Sequence, residues 1–374
     1  MKGPESARQG EPAAGGSPVD MKPAGALGRV GLCEFDLGTT ASEVALGELH
    51  RLLAAWHMHE PGARLGHDPE ALHQLRVTAR RIDATLGLFK HQLPLALSHG
   101  RRTAKTVLRA LGAARDLDVQ LAELARYCAE LPENERAAAG PLQARLEAER
   151  VRARARMVRA LDSERTRRWL ETLSLASAQA LAGNGTFADR AMVVMPERVR
   201  CRFRKLRKSV RRLRTKSSME DYHAVRRRAK QLRYAIESGA GMFGKPADET
   251  LKALRRLQDK LGAQQDAYMS GNRLAALAAD RANGLPPATL FLMGRLAEHH
   301  ARTTAEARKT LTGSWRKVRG KRWRTLRTKL GELSDTAREA NNGAPAQPAH
   351  THDAAIAATS QEHVPEPEPR PIKH

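Results

Sequence analysis

His73, Arg76 and Arg80 stand three and four residues apart in the stretch HQLRVTARR, with Arg81 directly following. At about 100° per residue, the first three fall within an arc of roughly 60° on one helix face. Cations so placed repel one another by a few tenths of a kcal/mol per pair. A merely solvated face usually mixes glutamate into such positions, and this one does not. The spacing therefore predicts a bound anion, or an acid brought in from elsewhere in the fold. A phosphate-like oxyanion suits the arginines, whose planar fork makes paired hydrogen bonds to its oxygens.

The pattern returns as HAVRRRAKQLRY. A shift of 150 positions carries His73 onto His223, Arg76 onto Arg226 and Arg80 onto Lys230, with Arg233 one turn further on. The same shift carries Lys105 onto Arg255, Leu111-Gly112 onto Leu261-Gly262, and Asp116 onto Asp266. Common leucines and arginines pair by chance, but a His, a Gly and an Asp at one offset point to an internal duplication. Gly112 and Gly262 are expected either to end a helix or to permit a close approach. Asp116 and Asp266 are then expected at the start of the next helix, where carboxylates are favoured, or as acids that orient an arginine of the His–Arg helix. Asp116 with Asp118 makes too thin a carboxylate set for a hard cation, and no metal or other cofactor is expected.

The elements that hold these residues read as helices. Ala, Leu and Arg dominate the middle of the chain, aromatics make up only 4%, and apolar residues recur every three or four positions. Asp68-Pro69-Glu70 starts the helix bearing His73, which buries Leu72, Leu75, Ala79, Ile82, Leu86 and Phe89. Pro94 breaks the chain, one helix follows to Gly112, and another begins near Asp116. Arg-rich helices run from about 141 to 182, and Asn184-Gly185 closes the first half. The second half is expected to open near Pro196 with ERVRCRFRKLRKSVRRLR. Ser217 and Ser218 precede Glu220 and Asp221 at capping-box spacing. Gly244-Lys245-Pro246 marks a second break, with helices expected near 248–261, 266–283, 286–312 and 319–334. Residues 1–40 and 340–374, rich in Gly, Pro and Ala, read as disordered tails around a folded region at 41–335, with halves 41–183 and 196–335.

The chain of 374 residues carries 65 Lys and Arg against 41 Asp and Glu, a formal charge of +24. Charge of that size bears on partners, not on fold. It calls for a polyanion: nucleic acid, polyphosphate or an anionic surface. Cys33, Cys128 and Cys201 are too few and too scattered for a disulfide framework or a zinc site. MKGPESARQGEP contains no apolar core of a secretory signal, and no stretch is long and apolar enough to span a membrane. A soluble cytoplasmic protein is expected. Its oligomeric state is not encoded legibly.

Four pieces carry a resemblance to a known family: HQLRVTARR with the downstream LGLF, LGAARDLDV, HAVRRRAKQLRYAIE and LQDKLGAQQD. In this order, with two histidines, they resemble the CHAD family, the conserved histidine α-helical domain, over roughly residues 40–335. The resemblance implies an all-α fold of two pseudo-symmetric four-helix bundles with a basic groove or pore between them. It also implies non-catalytic binding of inorganic polyphosphate and association with polyphosphate granules. Carried onto this chain, the binding residues are His73, Arg76, Arg80, Arg81, His223, Arg226, Lys230 and Arg233, with Lys105, Arg109, Lys252 and Arg255 on the following helices as weaker members. Asp83 stands where the family often has a basic residue, and Gln265-Asp266 departs from the family's acidic motif. Those departures imply uneven charge, with the second half the stronger binder. The hydrolase domain that some members carry has an alternating-glutamate motif, and this chain has none.

Two other functions compete. A protein of this charge binds nucleic acid nonspecifically at low salt, although single-strand binders usually add aromatic stacking platforms, which 4% aromatics hardly supply. An enzyme acting on phosphate chains would need a general base and a carboxylate-held metal. The two histidines are expected to face each other across the groove. An anion beside them would favour the imidazolium and strengthen binding as pH falls.

Overall fold

The computed structural model describes residues 38–181, 189–214, 217–280 and 284–342. The expected tails, the Asn184-Gly185 junction and Cys33 lie wholly or mostly outside these. Among the described residues the fold is all-α. The one extended pairing is an isolated antiparallel bridge between Thr40 and Arg190, where Ala41 N–H donates to Asp189 O at 2.8 Å and Ala191 N–H to Thr39 O at 2.9 Å.

The 150-residue shift governs the helices as well as the motifs. Helices α1 (Ala41–Leu65) and α7 (Ala191–Arg212) begin 150 positions apart. Helix α2 (Pro69–Leu88) matches α8 (Met219–Ser238), and α3 (Leu95–Ala129) matches α10 (Lys245–Ala279), at both ends. The first half continues through short α4 (Glu133–Arg136) and a 3-10 turn (Ala137–Ala139) into α5 (Gly140–Asp162) and α6 (Glu164–Leu181). The second continues through α11 (Pro287–Arg319) and α12 (Lys321–Asn342), with a single turn, α9 (Ala240–Phe243), before α10.

Local chemistry starts the two site helices. Asp68 caps α2 through Glu70 N, with Pro69 in the first turn, where a missing N–H costs nothing. Ser218 and Asp221 form a reciprocal capping box at the head of α8. Packing then holds them. Leu72, Leu75, Ala79, Ile82 and Leu86 are buried on α2, and Tyr222, Val225, Ala229, Leu232 and Ile236 are buried at the same offset on α8. Each fully buried large aliphatic side chain contributes about 1.5–3 kcal/mol. Helix α2 packs between α1 and α3, α8 packs between α7 and α10, and the halves meet where α2 lies on α8 and α1 on α7. Polar contacts join the halves elsewhere as well: Ser270 Oγ of α10 donates to Glu123 of α3 at 2.9 Å, Thr289 Oγ1 of α11 to Ala138 O of the 3-10 turn at 2.8 Å, and Gln92 Nε2 to Asp189 at 2.8 Å.

Several expected boundaries shift. Gly112 and Gly262 end nothing, because α3 and α10 each run unbroken for 35 residues. Asp116 and Asp266 therefore sit in mid-helix. A helical glycine costs about 1 kcal/mol relative to alanine, and fully or nearly buried Leu111, Ala114 and Leu117 around Gly112 outweigh it. The second half opens at Ala191, with Pro196 inside α7, and the last helix reaches Asn342.

Candidate anion-binding site

Helices α2 and α8 bring their cationic faces together at the junction. Arg76 lies 3.7 Å from Asp116 on α3, and Arg226 lies 3.7 Å from Asp266 on α10. The glycines explain how. A Cβ on Gly112 would sit 3.6 Å from the Arg76 guanidinium, and one on Gly262 would sit 3.4 Å from that of Arg226. Each glycine leaves a shallow bed in which an arginine lies across the helix towards its aspartate. The close approach at each glycine, and the placement of an aspartate beside each arginine, are thus features of the geometry.

Across the junction Arg76 feels the charges of Arg226 and Asp266, and Arg226 those of Arg80 and Asp116. Both are largely buried, at 27% and 21% exposed, and the Nε of each has no hydrogen-bond partner among the described residues. Lys230 sits at the focus. Burial first, then the charges of Arg80, Arg226, Arg76 and Arg233, pushes its pKa down to about 6. Such a lysine is mostly neutral at pH 7, and a neighbouring anion would favour its charged form.

A second knot forms around Glu237, which is 18% exposed. Its carboxylate takes Arg81 of α2 at 3.1 Å, Arg255 of α10 at 3.4 Å and Arg233 of its own helix at 3.6 Å. Asp83 holds Arg101 at 3.0 Å. The charge balance between the halves thus turns on both acids, not on Asp83 alone.

The histidines differ. His73 is half-buried and His223 is exposed. Burial pulls the His73 pKa below the usual histidine range; Glu70 opposes this, and Arg115, Arg76 and Arg80 reinforce it. No hydrogen bond or ring contact joins the two imidazoles among the described residues. The charges that do reach across belong to Arg76, Arg80, Arg226 and Lys230, one or two turns further along. The weaker candidates are dispersed. Lys105 lines a cleft against α6 and Lys252 one against α11 and α12, while Arg109 bonds back to its own helix at Lys105 O and Thr106. Asp118 is buried and 4.0 Å from Arg150, so it does not join Asp116. Two participants escaped the sequence reading: Glu237, detectable as the i+4 partner of Arg233, and Arg115, for which no signal existed.

The CHAD domain profile matches residues 48–275, from within α1 to near the end of α10. The chain belongs to the CHAD family. Its fold is similar to that of PptA from Streptomyces chartreusis, with 20% identity and a TM-score of 0.59 over 74% of this chain and 99% of the other. It is also similar to the CHAD domain from the plant Ricinus communis, with 25% identity and a TM-score of 0.57 over 79% of this chain and 93% of the other. No functionally curated protein matches the sequence. The CHAD match spans both His–Arg helices and both arginine–aspartate pairs. Among the described residues, no helix is long and apolar enough to cross a membrane.

Proposed function

We propose that this CHAD protein binds inorganic polyphosphate, without turning it over, at the junction of its two halves. The observation that carries the proposal is the convergence of Arg76, Arg80, Arg226, Lys230 and Arg233, with the two central arginines each beside one aspartate and left with an Nε unpartnered among the described residues. Burying like charges is costly unless an anion offsets them. A linear chain of phosphoryl groups supplies one negative charge after another and needs no stacking surface. The CHAD resemblance, not the charge, selects polyphosphate over other polyanions. Binding of this kind is compatible with association with polyphosphate granules.

Phosphate release works as the test for turnover: incubation with polyphosphate and Mg²⁺ yields no orthophosphate on this reading, and release would overturn it. Titration of defined-length polyphosphates against wild type and Arg76→Ala/Arg226→Ala tests the site. The double variant is expected to bind at least about tenfold more weakly, since charge-assisted hydrogen bonds contribute about 1.5–3 kcal/mol each. Equal affinity would place the polyanion elsewhere.

A further inference from the structure

Between the start of α3 and the middle of α6 lies a cleft of about 850 Å³, within the range of small-ligand sites. Six cationic side chains line it: Lys90, Arg101, Arg102, Lys105, Arg165 and Arg168. No carboxylate is among the described residues of its wall. From behind, Asp83 pairs with Arg101 and Glu164 with Arg168. Lys90, Arg102, Lys105 and Arg165 have no ion-pair partner among the described residues, and Arg165 is aimed by a 3.0 Å hydrogen bond to Thr103.

Two further features shape the wall. Helix α3 begins at Leu95 behind Pro94 with no side-chain cap, and Ala96 and Ser98 of its first turn line the cleft, so the positive end of the helix dipole, which favours an anion, lies beside it. Trp169, only 4% exposed, closes part of the wall with its ring edge packed on Gly100, and its buried Nε1–H has no hydrogen-bond partner among the described residues. The matching cleft of the second half, about 550 Å³, differs: Lys252, Arg256, Lys260, Lys317 and Arg322 there share the wall with Glu249 and Asp259. Arg102 and Lys252 occupy equivalent positions of the repeat. The duplication supplied both clefts, and only the first is wholly cationic.

We propose that the α3–α6 cleft is a second anion site, which takes a short chain of phosphoryl groups. Arg102 and Gly112, where Arg76 rests, are ten residues apart on α3, or about 15 Å. A short oligophosphate therefore occupies the cleft alone. A long chain held at the junction has its end within reach of it.

Calorimetric titration with tripolyphosphate, at about 100 mM salt, tests this with wild type, Arg102→Glu/Arg168→Glu and Arg76→Ala/Arg226→Ala. Arg102 is exposed and the Arg168 side chain is 75% exposed, so neither substitution enters the core. The charge-neutralising pair Arg102→Gln/Arg168→Gln serves as a milder control. Loss of about tenfold or more in tripolyphosphate affinity is expected for both cleft variants, with a cleft-type binding event retained in Arg76→Ala/Arg226→Ala. A parallel loss of long-chain affinity in the cleft variants assigns the cleft to the end of a long chain; unchanged long-chain affinity assigns it to free oligophosphate. Unchanged tripolyphosphate binding in the cleft variants overturns the proposal, as does its abolition by the junction variant alone. Failure of the junction reading shows up separately, as unaltered long-chain affinity in Arg76→Ala/Arg226→Ala.

Discussion

Replacing Lys230 with arginine should abolish most of the pH dependence of polyphosphate binding. Without ligand the lysine titrates near pH 6, so its protonated fraction falls from about one half at pH 6 to about 1% at pH 8. A bound phosphoryl oxygen favours the ammonium and raises that pKa. Binding therefore takes up a proton, strengthens as pH falls from 8 to 6, and levels off below the free-state value. Where the bound lysine stays fully protonated, affinity changes by up to about 50-fold over those two units. His73, whose pKa burial depresses, acts in the same direction at lower pH. Arginine at position 230 is charged throughout this range, so Lys230→Arg keeps its affinity at pH 8, while Lys230→Gln binds weakly at every pH. The assay is calorimetric titration with long polyphosphate, whose internal groups do not titrate here, at constant ionic strength and in buffers of differing ionisation enthalpy. An uptake of about 0.9 proton at pH 7 is expected for wild type. The same pH slope in wild type and Lys230→Arg would refute the reasoning.

Other substitutions probe neighbouring contacts. Glu237→Gln leaves Arg81, Arg233 and Arg255 without their shared carboxylate, and is expected to cost about 1–2 kcal/mol in denaturant unfolding while tightening polyphosphate binding at low salt. Gly112→Ala places a methyl at ordinary contact distance from Arg76 and is expected to preserve binding and to raise stability by up to about 1 kcal/mol. Gly112→Leu pushes Arg76 off its bed and weakens binding without unfolding the protein, as circular dichroism would show. The slope of log affinity against log salt is expected to fall by about 1.5 in Arg76→Ala/Arg226→Ala, two phosphate contacts being lost.

The duplication was legible because His, Gly and Asp recur at one offset, and the helix ends keep that offset at both termini of α2 and α3. Helix identity was legible from apolar spacing, and the starts of α2 and α8 from Asp68 and Ser218. Continuity through Gly112 was not, because a glycine reads locally as a stop and only burial of Leu111 and Ala114 shows otherwise. The partners of the arginines were partly legible. Asp116 and Asp266 share the repeat and were weighed as orienting acids, whereas Glu237 gathers three arginines from three helices, which only the tertiary fold decides. The depressed Lys230 likewise follows from burial against the opposite half, invisible in its own helix. His223 looked equivalent to His73, yet their exposures differ. Equivalence in sequence does not compel equivalent surroundings once Arg115, at one site only, packs near the first histidine.

The most direct test is a competition at about 150 mM salt, where long-range charge is screened beyond roughly 8 Å. Labelled long polyphosphate is bound to wild type and to Arg76→Ala/Arg226→Ala, and excess duplex or single-stranded DNA is added. The account predicts that wild type retains polyphosphate and that the double variant releases it. Displacement of polyphosphate from wild type by DNA, or equal retention by both proteins, would contradict it.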